Sequence, residues 1–213
     1  MPAPARLRAV NVGAVRTVRT PSREITTAIW KSPVEGRIPV RGVNLEGDDQ
    51  ADRRVHGGPD KAVYAYAAED AAWWASEGVG VPLGPGAFGE NLTTEGVDVT
   101  GAVVGERWRV GSALLEVAQP RLPCFKLGLR MEDPGFPARF ARADRPGAYL
   151  RIVEEGDLGA GDVVDVHDRP AHGVTVALVS RAMLRDPFLT GRALEAPELA
   201  AGLRAQLAER APG

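Results

Sequence analysis

Short apolar runs rich in valine, broken every few residues by glycine or proline, set the rhythm of this chain. Each run has the length of a strand, and the breakers supply turns between them, which is the punctuation of a β-rich fold. The pattern predicts strands over residues 7–15, 24–30, 62–66, 103–110, 113–117, 148–153 and 163–166. Helix signals are fewer. Residues 67–77 are alanine-rich, carry Glu69 and Asp70 in the first turn and stop at Gly78, a good left-handed cap, so a helix is expected to cover one face of the sheet. Tyr64 and Tyr66 alternate on the strand before it, and Trp73 and Trp74 lie within it, a placement that suits core packing better than base stacking. Beyond residues 174–179 the pattern changes. Residues 180–184, 192–194 and 197–210 read as short helices with start signals at Ser180 and Pro197, and Leu199, Leu203 and Leu207 recur every four residues along one face. The expected fold is mainly β with α, in the α+β class: a β domain over residues 1–173 and a small helical domain over 174–213.

With 26 Lys and Arg against 28 Asp and Glu in 213 residues, no global field recruits nucleic acid or an anionic membrane, so anion recognition must be local. A single cysteine excludes an internal disulfide, the N-terminus lacks the apolar core of a signal peptide, and no run approaches a membrane span. A soluble, cytoplasmic protein is expected.

That cysteine, Cys124, sits in Gln119-Pro120-Arg121-Leu122-Pro123-Cys124-Phe125-Lys126-Leu127, directly after a strand-like run. The prolines place the thiol on a stiff turn, and the flanking Arg121 and Lys126 favour the thiolate, the form that attacks electrophiles or binds metals. A second polar stretch, residues 45–63, holds Asp52, Arg53, Arg54, His56, Gly57, Gly58 and Lys61. Its paired glycines let successive N–H groups form an anion nest, to which the basic side chains add charge, so a phosphate would suit it. A metal site from Asp48, Asp49, Asp52 and His56 lacks a second histidine at ligand spacing, and His167 and His172 read as exposed. The third stretch, residues 84–96, offers Glu90, Asn91, Thr93 and Thr94, mixed donors and acceptors suited to the edge of a heterocycle.

Gly47-Asp48 to Val63, Phe88-Gly89-Glu90-Asn91-Leu92 and Gln119 to Cys124, taken in this order, resemble the MOSC domain, named for the C-terminal domain of molybdenum cofactor sulfurases. The likeness covers roughly residues 10–166, and the helical tail resembles that of the YiiM-type branch, which ends in a three-helix domain. The resemblance implies a β-barrel-like domain binding the molybdenum-pyranopterin cofactor, with Cys124 as the protein's sulfur ligand to molybdenum. Arg53, His56, Gly57, Gly58, Lys61, Arg121 and Lys126 would then hold the cofactor's phosphate and charge, Glu90, Asn91 and Thr93 would read a pterin edge, and Asp52, His56 and Glu90 are the groups able to deliver protons. It also implies an oxidoreductase that reduces N-hydroxylated compounds such as hydroxylaminopurine base analogues, a detoxification. No flavin or nicotinamide fingerprint is present, so a separate electron-donor reductase is expected, the helical tail being one docking surface for it. The alternatives are a carrier of cofactor or of persulfide sulfur, and a metal-free thiol enzyme in which His56 activates Cys124.

Overall fold

The computed structural model describes residues 4–21, 23–51 and 57–210. β1 (Arg6–Val12) is followed by a two-stranded ribbon, β2 (Arg16–Arg19) and β3 (Glu24–Thr27), then by β4 (Ser32–Val34), β5 (Ile38–Arg41) and β6 (Asn44–Leu45). One turn of 3-10 helix, Pro59–Lys61, leads into β7 (Val63–Ala67), α1 (Ala68–Ser76), β8 (Leu92–Glu95), β9 (Arg107–Val110) and β10 (Ala113–Pro120). α2 (Phe125–Arg130) and α3 (Phe136–Arg142) precede β11 (Ala148–Glu154), β12 (Gly156–Leu158) and β13 (Val164–His167). The tail holds α4 (Val176–Leu184), a 3-10 turn Pro187–Leu189, α5 (Thr190–Ala193) and α6 (Ala201–Arg210).

Eight strands form one sheet in the order β13-β9-β10-β11-β7-β8-β1-β4, with β5, β6 and β12 in a smaller sheet. Its pairings are antiparallel except β7 with β8, the pair joined across α1 as a parallel crossover requires. The sheet curls back on itself at β1. Leu7 N donates to the Asp162 carbonyl and Gly161 N to the Leu7 carbonyl, both at 2.8 Å, and Arg6 bridges Val163 just before β13. These bonds join β1, next to one end of the sheet order, to the segment leading into β13 at the other, and give the domain its barrel-like wall.

β7 shows why the pattern specifies this arrangement. Val63, Ala65 and Ala67 face the main core, while Tyr64 and Tyr66 face an aromatic cluster with Trp74, Phe88, Phe136 and Phe140. Both faces are covered, so all five residues are buried. Tyr66 stacks on Phe88 at 4.3 Å and accepts a hydrogen bond from Trp74 Nε1 at 2.9 Å, the core role expected of these aromatics.

Several boundaries differ from the sequence expectation. The first strand stops at Val12 because a Cβ at Gly13 would lie 2.6 Å from the Trp30 carbonyl oxygen, which fixes a turn there. Only Arg107–Val110 of residues 103–110 is strand; Gly105, with φ 88°, turns the chain so closely beneath Glu198 that a Cβ would lie 2.8 Å from its side chain. α2 and α3 were not anticipated. α4 starts at Thr175, whose Oγ1 accepts from Leu178 N at 3.2 Å, and Ser180 is buried inside the helix, where it caps nothing.

His172, read as exposed, is tucked in: its Nδ1 accepts from Val174 N at 3.0 Å and its Nε2 lies 3.2 Å from Glu198 Oε2. The tail helices share an apolar cluster containing Leu199, Leu203 and Leu207 with Val104 of the β region, and Val176 enters the main core. Ala200 N donates to the Ala118 carbonyl at 3.2 Å, so the tail is bonded to β10 as well as packed near it. Among the described residues no helix is long and apolar enough to cross a membrane.

Candidate functional site

A cleft with about 630 Å³ of space, counting its open mouth, lies where β10 ends, β11 begins and the loops after β3 and β6 converge. Tyr64, Tyr149 and Arg121 line it, together with Cys124 and Lys126 and with Lys31, Asp48 and Gln50.

Cys124 reaches the cleft because β10 ends at Pro120 and α2 begins at Phe125, which leaves the cysteine extended, with φ −132° and ψ 167°, at the helix start. The residue is partly exposed, and its sulfur is unbonded to any other cysteine. Arg121, three residues earlier, is buried. Its Nη1 donates to the Phe88 carbonyl, and its guanidinium lies 5.1 Å over the Tyr64 ring and 5.9 Å over Phe140. Burial works against that charge, but the oxygens of Tyr64 and Tyr149 and the Cys124 sulfur more than offset it, so Arg121 is a permanent cation. Burial pushes both tyrosines upward, which keeps their hydroxyls protonated. Tyr64 Oη donates to the Pro146 carbonyl at 2.9 Å.

Another part of the lining is built on a buried ion pair. Asp48 Oδ1 accepts from Gly13 N at 2.8 Å and from Lys31 Nζ, while Oδ2 accepts from Asn91 Nδ2 at 2.9 Å. Burial lowers the Lys31 pKa and the Asp48 charge opposes that shift. Lys61, half-buried on the same side, is lowered by burial against the pull of Asp60.

The structure brings Cys124, Arg121, Lys126, Lys61 and Asn91 of the sequence-predicted set to one cleft. It places Glu90 and Thr93 elsewhere. Glu90 is fully buried and accepts from Gly86 N at 2.6 Å, Phe88 N at 3.0 Å and Thr93 Oγ1 at 2.8 Å, so it locks the turn behind the cleft and does not face it. Thr93 completes that lock by accepting from Asn11 Nδ2 at 3.0 Å. Asn91 touches the cleft, but its amide is committed to Asp48, the Asn11 carbonyl and Tyr64 N. In this structure the three side chains are committed to protein partners and shape the wall.

The glycines of the same stretch serve packing, since a Cβ on Gly86 would lie 2.5 Å from the Lys31 carbonyl oxygen. Gly58, with φ 93°, starts the turn that holds Lys61, and neither it nor Gly57 lines the cleft. Asp52, Arg53 and His56 lie outside the described residues. Among the described residues no group of three or more acidic, histidine or cysteine side chains could hold a metal.

Lys31, Gln50 and Tyr149 line the cleft without having been singled out in the sequence. Gln50 lay inside the polar stretch before β7, and Tyr149 is the outward residue of the strand beginning at Ala148. Lys31 follows an apolar run with no local signal of burial. Gln50 Nε2 donates to the Val43 carbonyl at 3.0 Å, whereas its Oε1 is buried with no donor among the described residues.

Residues 52–165 match the MOSC domain. The chain is 34% identical over 177 residues to "Uncharacterized protein YflK" of Bacillus subtilis, covering 83% of this chain and 80% of that one. It is 33% identical over 165 residues to "Protein YiiM" of Escherichia coli, 76% of this chain and 73% of that one. A "Reductase" of Gibberella moniliformis is 33% identical over 163 residues, which are 75% of this chain but 29% of the fungal protein. The crystal structure of YiiM from Geobacillus stearothermophilus superposes with TM-score 0.80 at 27% identity over 98% of this chain and all of that one. A single cysteine at the cleft edge, the helical tail and these likenesses agree: the chain belongs to the MOSC domain family and is of the YiiM type.

Proposed function

We propose that this chain is a molybdenum cofactor-dependent oxidoreductase that reduces N-hydroxylated compounds, hydroxylaminopurine base analogues among them. The observation that carries the proposal is the Cys124 thiol at the edge of a cleft whose charged walls are mostly cationic. A thiolate is a soft ligand suited to a redox metal, and Lys31, Lys61, Arg121 and Lys126 match an anionic pterin phosphate. The donor-free Gln50 Oε1 fits the ring N–H of a pterin. These features fit the cofactor.

In that role Cys124 would hold the metal through Sγ, Lys61 and Lys126 would hold the phosphate, and Gln50 would accept from the heterocycle. When bound, the cofactor supplies the two-electron chemistry that, with two protons, converts an N-hydroxyl group to an amine and water. Arg121 fixes Tyr64 and Phe140 through its ring contacts and so keeps the cleft side rigid. The Tyr149 hydroxyl, held protonated by burial, is a hydrogen-bond donor beside Cys124 and acts as no base near neutrality. Asn91 and Asp48 keep Lys31 in the wall, where its ammonium faces the cleft. Electrons would come from a separate reductase.

The test is molybdenum and pterin content of protein made in cofactor-competent cells, for wild type and Cys124→Ser, followed by reduction of N-hydroxylated adenine with a chemical reductant. Stoichiometric molybdenum lost in the variant, with turnover in the wild type, is the expected result. Molybdenum without turnover would leave a cofactor carrier, and absence of both metal and pterin from folded wild type would overturn the proposal.

A further inference from the structure

The mouth of the cleft carries positive charge that the cofactor-holding residues do not account for. The β2–β3 ribbon is anchored on the cleft wall at its root, where Asp48 accepts from Gly13 N at 2.8 Å and Asp49 Oδ2 from Val15 N at 3.1 Å. Two of its arginines stack on rings whose chain neighbours line the cleft. Arg16 lies 3.7 Å over the ring of Trp30, the neighbour of Lys31, and Arg23 lies 4.7 Å over Phe125, the neighbour of Cys124. From the other side α2 places Arg130 one helical turn beyond Lys126. The Arg130 Nε is buried with no hydrogen-bond partner among the described residues, and its guanidinium feels the charge of Arg16.

Arg16, Arg23 and Arg130 have no carboxylate within 4.0 Å among the described residues, whereas Arg19 on the same ribbon is paired with Glu24 at 2.8 Å. Glu90 and Glu132 act on Arg130 only through space. A guanidinium laid flat on a ring keeps its N–H edges free for a second partner, and these edges suit a phosphate bidentately. Cations gathered at one mouth repel one another until an anion arrives.

We infer that this rim is a phosphate-monoester subsite, and that the substrates taken by the cleft are N-hydroxylated purines in nucleotide form, the base toward Cys124 and the phosphate on Arg16, Arg23 and Arg130. The substrate class rests on the proposed function; the phosphate subsite does not.

The experiment is calorimetric titration of the cofactor-loaded protein with AMP, adenosine and inorganic phosphate, repeated with Arg16→Met, Arg23→Met and Arg130→Met. AMP is expected to bind about tenfold more tightly than adenosine, each lost guanidinium removing a few-fold of that preference, with adenosine unchanged and the preference fading as salt rises. Arg16 and Arg23 are on an exposed ribbon, so their variants keep the test open if Arg130→Met misfolds. Equal binding of AMP and adenosine would overturn the subsite. Loss of molybdenum and pterin phosphate from Arg16→Met or Arg23→Met would also overturn it, by assigning the rim to the cofactor. If no N-hydroxylated compound is reduced but the AMP preference persists and needs Arg23, the reaction reading fails and the subsite stands.

Discussion

Lys31 and Asp48 offer the sharpest test of how the cleft wall is held. Their side chains are 8% and 3% exposed, so Lys31→Met strands a carboxylate that keeps its donors from Gly13 and Asn91 but has no countercharge. Removing one partner of such a pair costs about 3–5 kcal/mol. For a chain of this size that is a fall in melting temperature of roughly 6–20 °C. Asp48→Asn should also destabilise, because it buries an unpaired ammonium and brings its new N–H against a donor, either Asn91 Nδ2 or Gly13 N. In the double variant both charges are gone, and its loss should fall short of the sum of the single losses by about 1–3 kcal/mol. Urea unfolding of all four proteins measures the cycle. The pH profile gives a second readout. Burial lowers the Lys31 pKa from 10.5, so below that value the unfolded chain binds more protons than the folded one. Stability from this group therefore rises with pH from its folded pKa to 10.5, and Lys31→Met should flatten that part of the difference profile. A Lys31→Met loss under about 1 kcal/mol, or strict additivity in the cycle, would refute the buried-pair reasoning.

Glu90→Ala leaves Gly86 N, Phe88 N and Thr93 Oγ1 without their acceptor, and denaturant unfolding should show a loss of roughly 3–5 kcal/mol, partly offset by removal of a buried charge; near-wild-type stability would mean Glu90 is free for the cleft after all. Gly147 has φ 64°, and a Cβ there would lie 2.8 Å from Tyr64, so Gly147→Ala should cost about 1–3 kcal/mol and weaken ligand binding by shifting the cleft wall; unchanged melting and affinity would count against that packing. Arg151 donates to Asp60, to Glu116 at 2.8 Å and to the Glu198 carbonyl at 2.7 Å, tying the tail to the turn that holds Lys61. Arg151→Met should lower stability by roughly 2–4 kcal/mol and speed limited proteolysis of the tail, and an unaltered cleavage rate would dismiss the tie.

The strands were legible where one period ruled them. β7 and β10 carry apolar side chains at nearly every position because both faces are covered, β11 buries Ala148 and Leu150 on one face, and all three stand close to where the pattern put them. The pattern misled where β-branched residues serve two cores at once: Val176 and Val179 look like strand, yet they lie on α4 and point into different clusters. α2 was hidden by Gly128, which a bare backbone needs because a Cβ would lie 3.0 Å from the Asp133 carbonyl oxygen. In the cleft, Cys124 and its cations were readable from local context. Lys31 was not, since its partner Asp48 is brought to it only by the fold, and Glu90 looked like a binding residue because a polar side chain that braces a turn has the same sequence signature as one that meets a ligand.

The seam at β1 sets the order in which this protein can form during synthesis. β1 meets β4 early, since Val10 pairs with Val34, but its other neighbours come late: Thr93 of β8, and then residues 161–164. Until that last segment leaves the ribosome, part of the Leu7 edge stays open, a strand edge able to recruit another chain. Folding should therefore finish with a slow closure between the first and last parts of the β region, and chaperone dependence in the cell should track the time that this edge waits.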